Sequence, residues 1–337
     1  MKHFYRGDIM LHFRMSKLVV SMLAVFGLMA GSHAYAAEYP SKPITIICPF
    51  GAGSASDLLL RTAMPFMEKA IGQSIVLDYK SGAAGVVGAN YYTTLKPDGY
   101  TLVMYNQPHM ILHEKFMKTA YKADDFAPLL GLNYGQDLLL VNADSPYKTF
   151  DELMDAMKKN PGKLTFGIPG FYTNRHLNYA LFAKMLEQYG TRVTLVPFEN
   201  GAKQMAALLG GQVDMVINTY GMMAQYEGRI RALASLTEKR LVDDVPTLKE
   251  LGYDGVYGVG GSNFIFINAK APKEIINFLQ ERLAPLAKDP DLKKAMFDAG
   301  QQYDFAVFDY KECTTLNNNF TDMVNKTESL LQSHAGK

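Results

Sequence analysis

The stretch Pro49-Phe50-Gly51-Ala52-Gly53-Ser54-Ala55-Ser56-Asp57 joins the apolar run Ile44–Phe50 to a helical pattern that starts near Asp57. Glycines let the backbone of such a loop approach a ligand closely, and the first N–H groups of the following helix have no partner inside it. The positive end of the helix dipole lies behind those groups. The hydroxyls of Ser54 and Ser56 could cap the helix or touch the ligand. The stretch therefore predicts an anion-binding loop.

Short β-branched runs alternate with amphipathic segments along most of the chain. This alternation is typical of an α/β protein in which helices flank mostly parallel sheets. The predicted strands are Ile44–Phe50, Ser74–Tyr79, Thr101–Tyr105, Leu138–Asn142, Leu164–Gly167, Val193–Pro197, Val213–Asn218, Arg231–Ser235 and Asn263–Asn268. After the first helix, which Gly72 ends, the predicted helices are Phe150–Lys159, Arg175–Tyr189, Ala202–Leu209, Pro272–Leu286 and Tyr310–Leu331.

A second loop repeats the arrangement of the first. The strand Leu164–Gly167 is followed by Ile168-Pro169-Gly170-Phe171-Tyr172-Thr173-Asn174 and then by a helix near Arg175. Two lobes that each present a helix N-terminus to one cleft would hold an anion from both sides. Such a pair predicts a hinged receptor whose lobes close around a ligand. His176, in the first turn of that helix, is expected to orient its neighbours or cap the loop.

The N-terminal segment has the composition of a secretory signal peptide. Basic residues precede the apolar stretch Leu18–Ala30, and Ala34-Tyr35-Ala36 fits an A-x-A cleavage site. The apolar stretch is shorter than the ~20 residues that a membrane-spanning helix needs. We therefore predict a cleaved signal peptide over residues 1–36, with Met15 as an alternative start, and an exported mature chain.

Charge and cysteine content narrow the function further. The chain of 337 residues carries 34 basic and 33 acidic residues without a basic stripe, which argues against nucleic acid as a partner. Its length favours two lobes. Cys48 and Cys313 could pair in an oxidising compartment, but an isolated strand cysteine usually behaves as a small hydrophobe. We expect two separate buried thiols.

The first loop also comes close to the dinucleotide-binding fingerprint. Gly51-x-Gly53-x-x-Ser56 lacks the third glycine of that motif, and Asp78 ends the next strand, where a ribose-binding acid would lie. A Rossmann-type NAD-dependent oxidoreductase is therefore an alternative, which the export signal weakens, and a plain tight turn is another. Neither serine lies in a Gly-x-Ser-x-Gly elbow, so no catalytic residue is predicted. His109-x-x-x-His113 could share a helix face but lacks a third ligand, and no metal or cofactor is predicted.

Aromatic side chains follow several predicted strands. Tyr105, Phe171, Tyr172 and Tyr220 lie at or just beyond strand ends, where ligands collect in open α/β sheets. They could form an aromatic wall, and ordinary packing of loop aromatics is the alternative. Arg175 is the only guanidinium beside a predicted anion loop. It could hold a second carboxylate, or it could be a solvated arginine at a helix start.

Several further short motifs follow one another along the mature chain. They are Tyr39-Pro40-Ser41-Lys42-Pro43-Ile44, Gly82-Ala83-Ala84-Gly85-x-x-Gly88-Ala89, Pro97-Asp98-Gly99-Tyr100-Thr101-Leu102, Pro161-Gly162-Lys163-Leu164-Thr165-Phe166-Gly167, Gly170-x-x-Thr173-x-x-His176-Leu177, Leu208-Leu209-Gly210-Gly211-Gln212-Val213-Asp214, Arg231-Ala232-Leu233-Ala234 and Asp244-Val245-Pro246-Thr247. In order and spacing, the chain resembles the periplasmic solute-binding receptors of tripartite tricarboxylate transporters, the Bug or TctC family.

The resemblance implies a two-lobe Venus-flytrap receptor in the periplasm, monomeric and without catalysis or cofactor. Such a receptor delivers a small carboxylate to membrane permease subunits that an ion gradient drives. In the family, the loop matching Phe50–Asp57 holds a ligand carboxylate, the loop matching Ile168–Thr173 closes from the other lobe, and residues matching Asn218 line the cleft. A ligand-sensing receptor with a membrane signalling partner is an alternative. The expected ligand-binding residues are Phe50, Gly51, Ala52, Gly53, Ser54, Ser56, Asp57, Tyr105, Ile168, Gly170, Phe171, Tyr172, Thr173, Asn174, Arg175, His176, Asn218 and Tyr220.

Lobe boundaries and ligand type follow from the same resemblance. Lobe one is expected at residues 37–140 and 262–337, and lobe two at residues 141–261, with hinge crossings near Leu138–Asn142 and Asn263–Asn268. The second loop starts with Ile168-Pro169, where the family usually has two small hydroxyl residues. A tryptophan common before the late strand is absent, and Tyr257 or Asn263 would fill its space. These departures favour a ligand less polar than citrate, such as an aromatic or dicarboxylic acid.

Overall fold

The computed structural model describes residues 39–240, 242–253, 258–300 and 306–334. The predicted signal peptide and Tyr257 lie outside these residues. The described strands are β1 Ile44–Cys48, β2 Ile75–Tyr79, β3 Thr101–Gln107, β4 Phe126–Gly131, β5 Asp137–Asn142, β6 Thr165–Ile168, β7 Thr194–Pro197, β8 Met215–Thr219, β9 Ile230–Ser235, β10 Ser262–Asn268 and β11 Phe308–Asp309. They form a six-stranded sheet in the order β11-β4-β10-β3-β1-β2 and a five-stranded sheet in the order β7-β6-β8-β5-β9.

Helices flank both sheets. They are α1 Ala55–Ile71, α2 Val86–Thr93, α3 His109–Phe116, α4 Phe150–Lys159, α5 Asn174–Gln188, α6 Gly201–Leu209, α7 Tyr220–Ala224, α8 Lys273–Leu283, α9 Pro290–Asp298, α10 Tyr310–Lys326 and α11 Glu328–His334. Within the described ranges, no helix combines the length and the apolar composition needed to cross a bilayer. The expected α/β fold with two lobes is confirmed. The first lobe is built on the six-stranded sheet and the second on the five-stranded sheet.

Both sheets are mixed, which corrects the expectation of mostly parallel sheets. In the first lobe β1, β2 and β3 pair in parallel, but β10 lies antiparallel between β3 and β4. In the second lobe β6, β7 and β8 pair in parallel, and β5 lies antiparallel between β8 and β9. β5 and β10 are each the first strand after the chain crosses from the other lobe, so each enters its sheet against the direction of its neighbours. The continuous parallel sheet of a dinucleotide-binding fold is therefore absent from the described strands.

The chain crosses from the first sheet to the second between Gly131 and Asp137, and it returns between Ser235 and Ser262. Backbone hydrogen bonds between Gly135 and Gly261, at 2.8 and 2.9 Å, join the two crossings. The boundary expected at residues 140 and 141 falls inside β5 of the second sheet. The crossings therefore run side by side and place the cleft between the sheets.

Alternating side chains of the central strands fill separate apolar clusters, as the pleat of a strand requires. In β3, Leu102 and Met104 pack in one cluster of the first lobe, whereas Val103 and Tyr105 pack in another. Another apolar cluster joins the lobes and includes Leu112 of α3, Leu177 of α5 and Phe320 of α10. Cys48 and Cys313 are free and buried, as expected, and belong to different clusters.

Candidate functional site

Asp57 holds the loop between β1 and α1 in shape. Its buried carboxylate accepts hydrogen bonds from the Gly53 N–H at 2.8 Å, the Tyr79 hydroxyl at 2.6 Å and Arg61 Nε at 2.9 Å. Burial raises the pKa of this carboxyl, but the hydrogen bonds from Tyr79, Gly53 and Arg61 outweigh burial and hold the pKa below its usual value. Gly53 adopts a φ of 79°, in the left-handed region that glycine tolerates best. Asp57 and Gly53 thus shape the loop together.

α1 points its first N–H groups into the cleft between the lobes. Ser54 caps the helix, because its Oγ accepts the Asp57 N–H at 3.2 Å, and its own N–H donates to the Gly51 carbonyl. The hydrogen bonds of the described residues leave the N–H groups of Ala55 and Ser56 unpaired. Two backbone donors and the positive end of α1 therefore face the cleft.

The start of α5 faces the same cleft from the second lobe. Thr173 Oγ1 accepts the His176 N–H at 3.2 Å, and His176 Nδ1 accepts the Tyr172 N–H at 3.1 Å. The Tyr172 ring stacks on Phe116 of the first lobe, with ring centres 5.1 Å apart. Over the part of the chain that the structure describes, the N–H groups of Asn174 and Arg175 have no hydrogen-bond partner. The second loop therefore leads into a helix N-terminus, which the sequence predicted near Arg175.

A third helix start also faces the cleft: the helix was predicted over Ala202–Leu209, but its place at the cleft was not. Asn200 caps α6, since its side-chain oxygen accepts the Lys203 N–H at 3.0 Å. Gly201, the first residue of α6, lines the cleft. The sequence contains a signal for this helix start, because Asn200-Gly201 follows a predicted strand and asparagine is a preferred N-cap.

The three helix starts surround a cavity of about 190 Å³, the inner chamber. It is lined by Ala55, Ser56, Leu59, Asn106, His109, Asn133, Gly135, Asn174, Arg175, Gly201, Asn218, Thr219, Met222, Gly261 and Asn263. The inner chamber adjoins a cavity of about 860 Å³, the outer groove, with which it shares Ala55, Gly201 and Met222. The outer groove is lined also by Pro49, Phe50, Gly51, Gly53, Ser54, Leu58, Ser81, Gly82, Ala83, Ala84, Gly85, Glu199, Asn200, Ala202 and Gln225.

A chain of hydrogen bonds fixes the orientation of the polar groups beside the inner chamber. The Val259 N–H donates to Asn178 Oδ1 at 2.7 Å, so Asn178 Nδ2 faces Asp137 and donates to its Oδ2 at 2.7 Å. Asn174 Nδ2 donates to the same oxygen at 3.3 Å. Asn174 Oδ1 therefore accepts from His109 Nε2, 3.0 Å away. This last bond links the two lobes across the cleft.

Other asparagines of the inner chamber are held equally firmly. Asn263 Nδ2 donates to Asn133 Oδ1 at 3.1 Å, and Asn263 Oδ1 accepts from Ser56 Oγ at 3.2 Å. Asn218 Nδ2 donates to Gln204 Oε1 at 3.2 Å, which leaves Asn218 Oδ1 to accept the N–H of the next residue at 2.9 Å. The inner chamber is thus a preorganised polar surface.

Two histidines near the inner chamber are neutral at pH 7. Burial lowers the pKa of His109 to about 4, and the charge of Arg175 lowers it further while the bond to Asn174 opposes both. Burial and the neighbouring His109 lower the pKa of His113 to about 3. His113 Nδ1 lies 2.9 Å from the Tyr105 hydroxyl. Among the described residues no group of three potential metal-binding side chains comes together.

Stability is expected to fall as the pH drops below 6.5. Because both histidines have folded pKa values below the ordinary 6.5, the unfolded chain takes up protons first and the folded state loses stability with falling pH. Each contributes up to ~1.4 kcal/mol per pH unit. Urea unfolding between pH 7 and pH 5 measures the slope, which His109→Gln and His113→Gln should each reduce. An unchanged slope in both variants would contradict this prediction.

The structure brings only some of the expected site residues to the cleft. Ser56, Asn174, Arg175 and Asn218 line the inner chamber, and Phe50, Gly51, Gly53 and Ser54 line the outer groove. The other ten line neither cavity: Ala52, Asp57, Tyr105, Ile168, Gly170, Phe171, Tyr172, Thr173, His176 and Tyr220.

The expected aromatic wall is not found, and packing explains why. Tyr105 is wholly buried in the first lobe, and Ile168 is wholly buried in the second. The rings of Phe171 and Tyr172 pack against His176, with centres 5.2 and 5.8 Å from it. Tyr220 packs against the apolar cluster beside β5 and β8. These side chains therefore take part in packing and line neither cavity.

Three of the five asparagines that line the inner chamber were not among the expected ligand-binding residues. Asn106 follows Tyr105 in β3, where a polar residue at a strand end was a usable signal. Asn133 follows β4, a strand that the sequence pattern did not predict, so no local signal marked it. Asn263 was considered only as a substitute for a missing tryptophan. Asn106, Asn133 and Asn263 thus come from three separate segments of the chain and line the same cavity.

Comparison with known proteins places this architecture in a family. The family model "Tripartite tricarboxylate transporter family receptor", TctC, matches residues 59–335. A Cupriavidus necator protein, "UPF0065 protein in gbd 5'region", is 34% identical over 251 residues, 72% of this chain and 74% of its own length. A TctC solute binding protein from Polaromonas, solved with no ligand, is 26% identical with a TM-score of 0.66, over 86% of this chain and 99% of its own. MatC from Rhodopseudomonas palustris, with bound malate, is 25% identical with a TM-score of 0.71, over 87% of this chain and 100% of its own.

Proposed function

Since this chain belongs to the TctC family of tripartite tricarboxylate transporter receptors, we propose that it captures a small carboxylate in the inner chamber and delivers it to the membrane permease of such a transporter. The malate bound to MatC supports a carboxylate as the ligand. On this proposal the protein works in the periplasm, carries out no catalysis and needs no cofactor.

One observation carries this proposal: the starts of α1, α5 and α6 converge on one cavity. Ser56 lies at the first helix start, Arg175 at the second and Gly201 at the third, and all three line the inner chamber. Each helix N-terminus offers unpaired N–H groups and a partial positive charge of roughly half a unit. Donors of this kind from both lobes favour an anion that pulls the lobes together, because a ligand shifts the balance between open and closed forms only through contacts that differ between them.

The lobes are proposed to move about the paired crossings near Gly135 and Gly261. With these crossings as boundaries, the described part of the first lobe comprises residues 39–131, 262–300 and 306–334. The second lobe runs from Asp137 to Ser235 and includes the packed segment that follows β9. Closure would bring Ser56 toward Arg175 with little change inside either lobe.

A thermal-shift screen of the mature chain against mono-, di- and tricarboxylates and aromatic acids tests the proposal. A ligand that binds only the folded state raises the melting temperature in proportion to the logarithm of its concentration above Kd. We expect at least one class of carboxylate to raise it, and NAD to leave it unchanged. Stabilisation by NAD alone, with no response to any acid, would overturn the proposed function.

A further inference from the structure

The two cavities carry very little charge. Among the described residues that line the inner chamber or the outer groove, Arg175 is the only lysine or arginine. The only acid in the same set is Glu199, in the outer groove, and its carboxylate is paired with Lys203. Five asparagines supply most of the polar lining of the inner chamber. A ligand therefore meets one cation among neutral amides.

That cation has a counter-charge directly behind it. Asp137 is fully buried at the start of β5, and its Oδ1 lies 3.5 Å from Arg175 Nη2. Its Oδ2 accepts the amide N–H groups of Asn174 and Asn178. Burial raises the pKa of this carboxyl, while the charge of Arg175 and the hydrogen bond from Asn178 oppose that rise. The polar contacts of the carboxyl with the described residues all come from donors, so the surroundings fit its ionised form. The Arg175–Asp137 pair is therefore neutral as a unit.

This neutrality limits how much negative charge the inner chamber can take up. Three helix starts supply partial charges that suit one carboxylate. A second buried carboxylate would need a cation of its own, because an unpaired buried charge loses more hydration than hydrogen bonds return. It would also lie near the carboxylate of Asp137. Amides, by contrast, can both donate to and accept from neutral polar groups.

We propose that Asp137 sets the charge of the ligand, so that the receptor prefers monocarboxylates over dicarboxylates and tricarboxylates. This inference rests on the proposed function, since it concerns the ligand of the same inner chamber. It departs from the expectation that Arg175 holds a second carboxylate, because the charge of Arg175 is already balanced. Asp137 acts on the ligand through Arg175 and touches neither cavity, so it is a positioning residue.

Calorimetry with matched pairs of acids tests this inference on the mature protein. The pairs are butyrate and succinate, hexanoate and adipate, and benzoate and terephthalate. In each pair that binds, we expect the monoacid to bind at least about tenfold more tightly, and Asp137→Asn to shift the ratio toward the diacid by about tenfold. Arg175→Gln should weaken both acids and the diacid more. The double variant, again neutral, should return the ratio to that of the wild type.

A structural role alone would not move the ratio of the two affinities in opposite directions in the two single variants. If Asp137→Asn does not fold, Asp137→Glu keeps the charge and should keep the preference for monoacids, while the wild-type ratio tests the inference without any substitution. Tighter binding of diacids by the wild type, or an unchanged ratio in folded Asp137→Asn, would overturn the inference and leave the proposed function standing. Binding of no acid at all would instead overturn the proposed function.

Discussion

Gly201→Leu is expected to weaken ligand binding about a hundredfold while leaving the melting temperature unchanged. Gly201 lines both the inner chamber and the outer groove, and a Cβ built on it meets no atom within 4 Å. The folded chain can therefore accept a larger side chain, and replacing a helical glycine also favours the helix slightly. A leucine would occupy space that the ligand and the closing lobes need. Overpacking of this kind corresponds to a loss of about a hundredfold in affinity.

Ala206→Leu is the matched control for this prediction. Ala206 lies in the same helix, α6, but its side chain is exposed on the surface. The added leucine there should leave both affinity and melting temperature unchanged. Calorimetry on the two variants with the best acid from the thermal-shift screen makes the comparison. Normal affinity in Gly201→Leu would place the ligand outside these two cavities.

Asp57→Asn is expected to cost about 2–4 kcal/mol of unfolding free energy and most of the affinity. The buried carboxylate of Asp57 accepts three hydrogen bonds, and an amide in its place turns one acceptor into a donor that faces other donors. The Gly53 N–H or the Tyr79 hydroxyl then loses its partner. In the wild type these bonds hold the loop that leads into α1. Without them, the first N–H groups of α1 should no longer point at the inner chamber.

Urea unfolding and calorimetry of Asp57→Asn, beside Arg61→Gln, measure the two effects. Arg61 has a side chain that is 55% exposed, so its ion pair with Asp57 is largely screened and its loss should cost below about 1 kcal/mol. The pKa of Asp57 is lowered in the folded state, so its stabilising effect is present above pH ~4 and is lost as the pH falls. The unfolding free energy of Asp57→Asn should therefore not show the pH dependence that the Asp57 carboxyl contributes. Full affinity in a destabilised Asp57→Asn variant would show that binding does not require this loop shape.

Local sequence signals predicted the parts of the fold that local interactions form. Ser54 and Thr173 each cap the helix that follows, and capping needs only residues two or three positions apart. The strand predicted over Ile44–Phe50 forms β1, which ends at Cys48. β4 was missed because Phe126-Ala127-Pro128-Leu129-Leu130-Gly131 contains no β-branched residue and includes a proline, and its neighbours β10 and β11 stabilise it from far along the chain.

The sequence by itself thus determined the two helix-start loops, the α/β alternation and the resemblance to a receptor family, since all of these depend on neighbouring residues or on ordered motifs. Only the tertiary structure decided what else surrounds the ligand. It brought the third helix start at Gly201 to the cleft, added Asn106 and Asn133 to its wall, and buried Asp137 behind Arg175. These groups meet because strands from distant parts of the chain end at one cleft, and no local pattern records which side chains will face each other there. The charge that the cleft presents is therefore a property of the packed molecule.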